Sequence, residues 1–166
     1  AFAIYHELVA DENGKKRATE LVRRLTDYII AGGFVLRDQD GAATRWGVWS
    51  PEKLNHDPNW RLDRGINSIE MLSFLLTAHH MTGDKKYLVE LEKLYYDHGY
   101  RENILEPQQL DPGSFTHIDF ELLAMAYHGL LKYAVDPERK KVYQQSFETW
   151  FSPVRNEASP FYAYTY

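Results

Sequence analysis

Ile66-Asn67-Ser68-Ile69-Glu70-Met71-Leu72-Ser73-Phe74-Leu75-Leu76-Thr77-Ala78-His79-His80-Met81, followed by Thr82-Gly83-Asp84, is the stretch whose reading decides the fold. Ile66, Ile69, Met71, Leu72, Phe74, Leu75, Leu76 and Ala78 wrap most of a helical circumference, so residues 66–81 predict a helix buried on several sides. Gly83 supplies a stop and Asp84 a cap for the next helix. Over 85–98 the pattern changes: Tyr87, Leu88, Leu91, Leu94 and Tyr95 form one stripe, with Lys, Glu and Asp opposite. That is an outer, half-exposed helix.

The same pair recurs on both sides. Downstream, Ile118, Phe120, Leu122, Leu123, Met125, Ala126, Leu130 and Leu131 predict a second mostly apolar helix. Val135-Asp136-Pro137 makes its turn, with Asp as cap and Pro at the first helical position, and 138–150 is amphipathic through Val142, Tyr143, Phe147 and Trp150. Upstream, 1–9 reads as the end of an inner helix and Asp11-Glu12-Asn13-Gly14 as its turn. Residues 15–31 form its outer partner through Ala18, Leu21, Val22, Leu25, Tyr28 and Ile29. The expected fold is therefore all-α: three antiparallel helical hairpins in a single domain over 1–166, capped at Asp11, Asp84 and Asp136. The caps are unequally spaced, so the repeat is structural rather than sequential.

The connections leading to the inner helices, 32–64 and 99–116, are much longer than usual. The first contains Asp40-Gly41 between two short apolar stretches, which predicts a small β-hairpin with strands 34–38 and 44–49. Antiparallel helices alternate in direction, so both long connections emerge at the N-terminal ends of the inner helices. Long loops on a rigid scaffold carry function. One pole of the molecule is thereby singled out before its chemistry is considered.

Composition narrows the chemistry. The 166 residues are 44% hydrophobic, 26% charged and 14% aromatic, with four Trp, twelve Tyr and eight Phe. Such an aromatic excess suits flat apolar faces, those of sugar rings among them. A net charge of −5 argues against a nucleic-acid partner, which requires a basic stripe. No apolar run reaches the roughly 18 residues of a membrane span, so no membrane partner is expected. With no cysteine, thiol catalysis, disulfides and Cys-ligated metals are excluded. The absence of a leader before Ala1 and the aromatic run over 160–166 read as excision from a larger polypeptide.

Three clusters fall at the selected pole. Thr44-Arg45-Trp46-Gly47-Val48-Trp49 continues to Asn55-His56-Asp57-Pro58-Asn59-Trp60. Trp46, Trp49 and Trp60 interleaved with Arg45 suit carbohydrate, the indole faces stacking on C–H faces while polar groups bond hydroxyls. Alternatively, Trp46 and Trp49 pin the hairpin to the helices. In Asp63-Arg64-Gly65-Ile66-Asn67-Ser68-Ile69-Glu70, Asn67 and Glu70 share a helical face near its N-terminus. Asp63 capping and a buried bond to Arg64 is one reading there, and a binding or catalytic role is the other. Thr116-His117-Ile118-Asp119 opens the last inner helix. Thr116 and Asp119 read as a capping box, or His117 and Asp119 project into a central groove as base and acid. The spacing matches no zinc pattern, and no metal or cofactor is expected. His79, His80 and His128 lie away from this pole and read as structural or solvated.

Taken together, Arg64-Gly-Ile-Asn67-Ser-Ile-Glu70, His117-Ile-Asp119-Phe-Glu121, the turns Thr-Gly-Asp-Lys-Lys-Tyr and Val-Asp-Pro-Glu, and Ala-Thr-Arg-Trp-Gly-Val-Trp resemble a segment of the six-hairpin glycosidase-like proteins, the (α/α)6 toroids. The chain is also similar to uncharacterised bacterial proteins sharing the Arg-Trp-Gly and His-x-Asp-x-Glu stretches. The resemblance implies a partial toroid and a carbohydrate partner, in the periplasm or outside the cell. It implies glycosidic-bond hydrolysis or elimination in a central groove. Hydrolysis needs two carboxyl groups about 5–10 Å apart, for which Asp119 with Glu70 or Asp63 are the candidates. Elimination would instead use Arg45, Asn67 and His117, and a non-catalytic glycan- or protein-binding module is the remaining alternative. Three hairpins make half a ring, so a homodimer or a missing half of the same polypeptide is expected to cover the exposed inner face.

Overall fold

A computed structural model describes residues 1–108 and 117–163, and within them the chain is mostly helical with one small antiparallel hairpin. Helix α1 (Phe2–Leu8) turns into α2 (Glu12–Ala31), where the Asp11 carboxylate accepts from the Gly14 N–H at 2.7 Å. Asp11 thus caps as expected, but Glu12, Asn13 and Gly14 already belong to the helix rather than to the turn. The buried face of α2 is Ala18, Val22, Thr26 and Ile29, while Leu21, Leu25 and Tyr28 remain about half exposed. Its apolar stripe is wider than the face its neighbours cover.

Strands β1 (Val35–Arg37) and β2 (Ala43–Val48) pair Val35 with Val48 and Arg37 with Ala43, with a register irregularity between. Asp40-Gly41 makes the turn, Gly41 at φ 84°, and the Asp38 N–H donates to the Ala42 carbonyl. The hairpin begins at Phe34, held at φ 62°, a conformation that a bulky residue adopts only under constraint. Its N–H donates to Ile29 and its carbonyl accepts from Trp49.

Residues 50–60, expected as irregular loop, form α3 (Pro51–His56) and a 3₁₀ turn over Pro58–Trp60. Ser50 caps the first through the Lys53 N–H and Asp57 caps the second through the Asn59 N–H, each followed by Pro at the opening helical position.

Helix α4 (Arg64–Thr82) is the centre of the molecule. Ile69, Met71, Leu72, Leu75 and Ala78 are fully inaccessible, each large side chain contributing about 1.5–3 kcal/mol by burial. Gly83 ends the helix in the left-handed conformation at φ 72°. Asp84 then accepts from the Lys86 N–H at 3.0 Å at the start of α5 (Lys86–Glu92). The expected single helix over 85–98 instead widens into a π-helical turn at Lys93–Asp97 before α6 (Tyr100–Asn103).

Helix α7 (His117–Tyr133) lies alongside α4 and runs in the same direction. The contacts advance in step: Asp63, Ile66 and Glu70 share a cavity wall with Ile118, Asp119 and Leu122, Gly129 meets Ser73 and Thr77, and His80 stacks on Tyr133. A β-carbon at Gly129 would lie 2.4 Å from the Ser73 hydroxyl, so a small residue there permits the close approach. Asp136 caps α8 (Pro137–Val154) through the Arg139 N–H at 2.8 Å, with Pro137 at its first position. α8 packs back on α7, with Tyr127 against Ser146 and Trp150, and α9 (Pro160–Ala163) adds Tyr162 beside Phe120.

At the short-turn pole, Glu7 binds His80 at 2.8 Å, the Tyr133 hydroxyl at 2.9 Å and the Lys132 ammonium, tying together the C-terminal ends of α1, α4 and α7. Among the described residues, no helix is long and apolar enough to cross a membrane.

Candidate functional site

At the opposite pole the hairpin, the 3₁₀ turn and the first turns of α4 and α7 enclose a groove of ≈ 620 Å³. The hairpin contributes Trp46, Gly47 and Trp49, and the 3₁₀ turn contributes Trp60. Helix α4 and its preceding residue contribute Asp63, Ile66, Asn67 and Glu70, at helical spacing along one face. From α7 come Ile118, Asp119 and Leu122. Seven of the residues singled out from sequence therefore meet on one surface: Trp46, Trp49, Trp60, Asp63, Asn67, Glu70 and Asp119.

Their local roles differ from the expected ones. Trp49 is buried, its N–H donates to the Glu70 carboxylate at 2.8 Å, and its ring meets Phe74 edge-on at 5.5 Å. Its carbonyl accepts from the Tyr100 hydroxyl. Trp49 thus both anchors the hairpin and lines the groove. Trp46 is 70% exposed and anchors nothing in the core. The buried Asn67 amide donates to the Val48 carbonyl at 2.9 Å, tying β2 to α4.

Asp63 stands at the α4 N-cap position, but its side chain accepts no capping hydrogen bond. It faces the groove instead. Arg64 does not bond Asn67 or Glu70; its Nε donates to the Leu54 carbonyl at 2.6 Å and it lies on the side of α4 facing Glu102 and Glu106. His117 also stays out of the groove, with its side chain 76% exposed and 3.9 Å from Glu157. Arg45 lies outside the groove wall, its guanidinium 4.6 Å from the Trp46 ring centroid. Thr116, read as half of a capping box with Asp119, lies outside the described residues.

Among the described residues that line the groove, the charged side chains are all acidic. Burial raises the Glu70 carboxyl above the ordinary glutamate range and the Asp119 charge adds to it, against the lowering effect of the Trp49 N–H. Burial and then the Asp119 charge raise Asp63 in the same way. Burial thus favours the neutral form of the Glu70 carboxyl. Among the described residues no group of three His, Asp or Glu side chains is arranged to hold a metal ion.

Tyr100, Ile118 and Leu122 were not anticipated as site-forming residues. Ile118 and Leu122 were legible as apolar positions flanking Asp119, whereas Tyr100 carried no local signal because its partner is a backbone carbonyl far away in sequence. No protein-family model, no curated protein and no solved structure matches this chain.

Proposed function

We propose that the chain is a carbohydrate-active domain, glycoside-hydrolase-like, acting on a poly- or oligosaccharide in the groove between β2, α4 and α7. The observation that carries this reading is the meeting of three tryptophans and three carboxylates on one cavity wall. In the reaction, Glu70 donates its proton to the departing glycosidic oxygen as that bond breaks. Asp119 is the second carboxyl, acting on the opposite face of the sugar to stabilise positive charge or take a proton from water, and Asp63 is the alternative for that role. Trp46 and Trp60 offer indole faces to neighbouring sugar rings. Hydrolysis is preferred to elimination because, of Arg45, Asn67 and His117, only Asn67 lines the groove, and its amide already donates to the Val48 carbonyl.

We read α1, α4 and α7, side by side and in one direction with α2, α5 and α8 outside them, as the inner and outer helices of a partial (α/α) toroid. The exposed Phe2, Leu25, Phe74 and Met125 are then surface that further hairpins or a second copy would cover.

The test is a panel of polysaccharides on which new reducing ends and binding are followed together. Release of reducing ends that falls about a hundredfold or more in Asp119→Asn and in Glu70→Gln is the expected result. Turnover that survives both substitutions defeats the catalytic assignment. Saturable binding without cleavage makes the chain a glycan-binding module, for which the strongly exposed Trp46 ring is the favourable observation.

A further inference from the structure

We infer that the groove is selective for a positively charged sugar polymer, one whose residues carry free amino groups, over neutral or uronate-containing chains; this rests on the carbohydrate reading above. The site is the cavity with its indole rim, and its acids set the sign of the ligand.

Among the described residues, three carboxylates line the groove and no Lys, Arg or His does. The stretches outside the described residues, 109–116 and 164–166, contain no basic residue either. The groove acids differ from the ion-paired carboxylates elsewhere in the molecule. Glu7, Asp27, Asp57 and Asp136 each have a lysine or arginine within ion-pair distance. Asp63, Glu70 and Asp119 have none, although the charge of Asp119 acts unfavourably on both of the others. An ammonium group entering the groove supplies the missing counter-charge. A uronate adds further negative charge to it.

The rim points the same way. An electron-rich indole face attracts cations as well as C–H groups; Arg45 holds a Trp46 face at 4.6 Å, whereas among the described residues no cation stacks on Trp60. The acids are not gathered tightly enough for three of them to chelate one metal ion. Spread along a ≈ 620 Å³ groove, they match a ligand whose charges recur along its length.

The experiment compares oligomers of β-linked glucosamine with the same oligomers N-acetylated and with oligogalacturonate, at mildly acidic pH. Binding is read calorimetrically and from tryptophan fluorescence, at low and high salt. The glucosamine oligomer is expected to bind about tenfold more tightly than its acetylated counterpart at low salt, with the gap closing at high salt. Asp63→Asn and Asp119→Asn should each narrow it. The wild-type salt dependence serves as the test should either variant fold poorly. Equal or tighter binding of the acetylated or galacturonate oligomer overturns the charge selectivity and leaves the carbohydrate reading standing. If these and a panel of neutral glycans all fail to bind, the carbohydrate reading falls and the selectivity with it.

Discussion

The Trp49 indole N–H donates to the Glu70 carboxylate at 2.8 Å, joining the residue that follows β2 to α4 on the groove wall. One bond therefore serves two levels of organisation. It fixes the hairpin on the helical body and orients the carboxyl proposed to donate a proton.

Replacing Trp49 by Phe removes that donor together with part of the buried indole. We expect a loss of about 1.5 kcal/mol or more in urea unfolding, from the lost hydrogen bond and the cavity together. The remaining lowering influence on Glu70 also disappears, so its carboxyl rises further. An unfolding midpoint equal to that of the wild type would show that the bond contributes nothing.

Two glutamates predict stability changes with opposite pH dependence. Burial raises Glu70 in the folded state, so its ionisation opposes folding. Its favourable contribution is complete below the ordinary value of 4.5 and is lost as pH rises through the folded value. Glu70→Gln should thus be more stable than wild type at neutral pH and equal to it in acid. Glu7 is lowered by its bond to Lys132 first, with Tyr133 and His80 adding to it against burial. Its contribution is present above 4.5 and is lost as pH falls through the folded value. Glu7→Gln should destabilise at neutral pH and converge with wild type in acid. Thermal melts across pH decide both, and matching signs for the two variants would refute the assignment.

Gly65 is a packing requirement of the site. A β-carbon there would sit 2.0 Å from the Glu106 carbonyl oxygen, a backbone atom that cannot rotate away. Gly65→Ala should cost about 2 kcal/mol or more and displace the first turn of α4 that presents Asp63 and Asn67. Chemical denaturation measures this, and a neutral substitution would mean that the two segments separate freely.

Trp46 should separate binding from folding. With 70% of its surface exposed, Trp46→Ala should leave stability within about 0.5 kcal/mol. Loss of one stacking face should weaken oligosaccharide binding about tenfold. Calorimetric titration beside a thermal melt checks both halves of the expectation.

What was legible in sequence was what local chemistry decides. Asp11 and Asp136-Pro137 cap their helices because a cap depends on residues three apart, and Asp40-Gly41 turns because glycine tolerates positive φ. The meeting of Trp46, Glu70 and Asp119 at one pole was legible because alternating helix directions leave little choice of where long connections emerge. Ser50-Pro51 carried the signal for α3 and went unread beneath the aromatic pattern around it. The partners of Arg64, Asn67 and Glu70 were not legible. Each bonds a group from another segment, Leu54, Val48 and Trp49, and only packing decides which one arrives. His117 and Asp119 show the limit of face assignment: two residues apart on one helix, only Asp119 reaches the groove.

Hydrogen exchange of the whole chain with and without a bound oligosaccharide tests most directly whether this groove is the glycan site. Slowed exchange confined to 44–49, 58–70 and 117–122 is the predicted footprint. Protection centred instead on the Glu7–His80–Lys132 pole, or on the outer surface of α2, would contradict it.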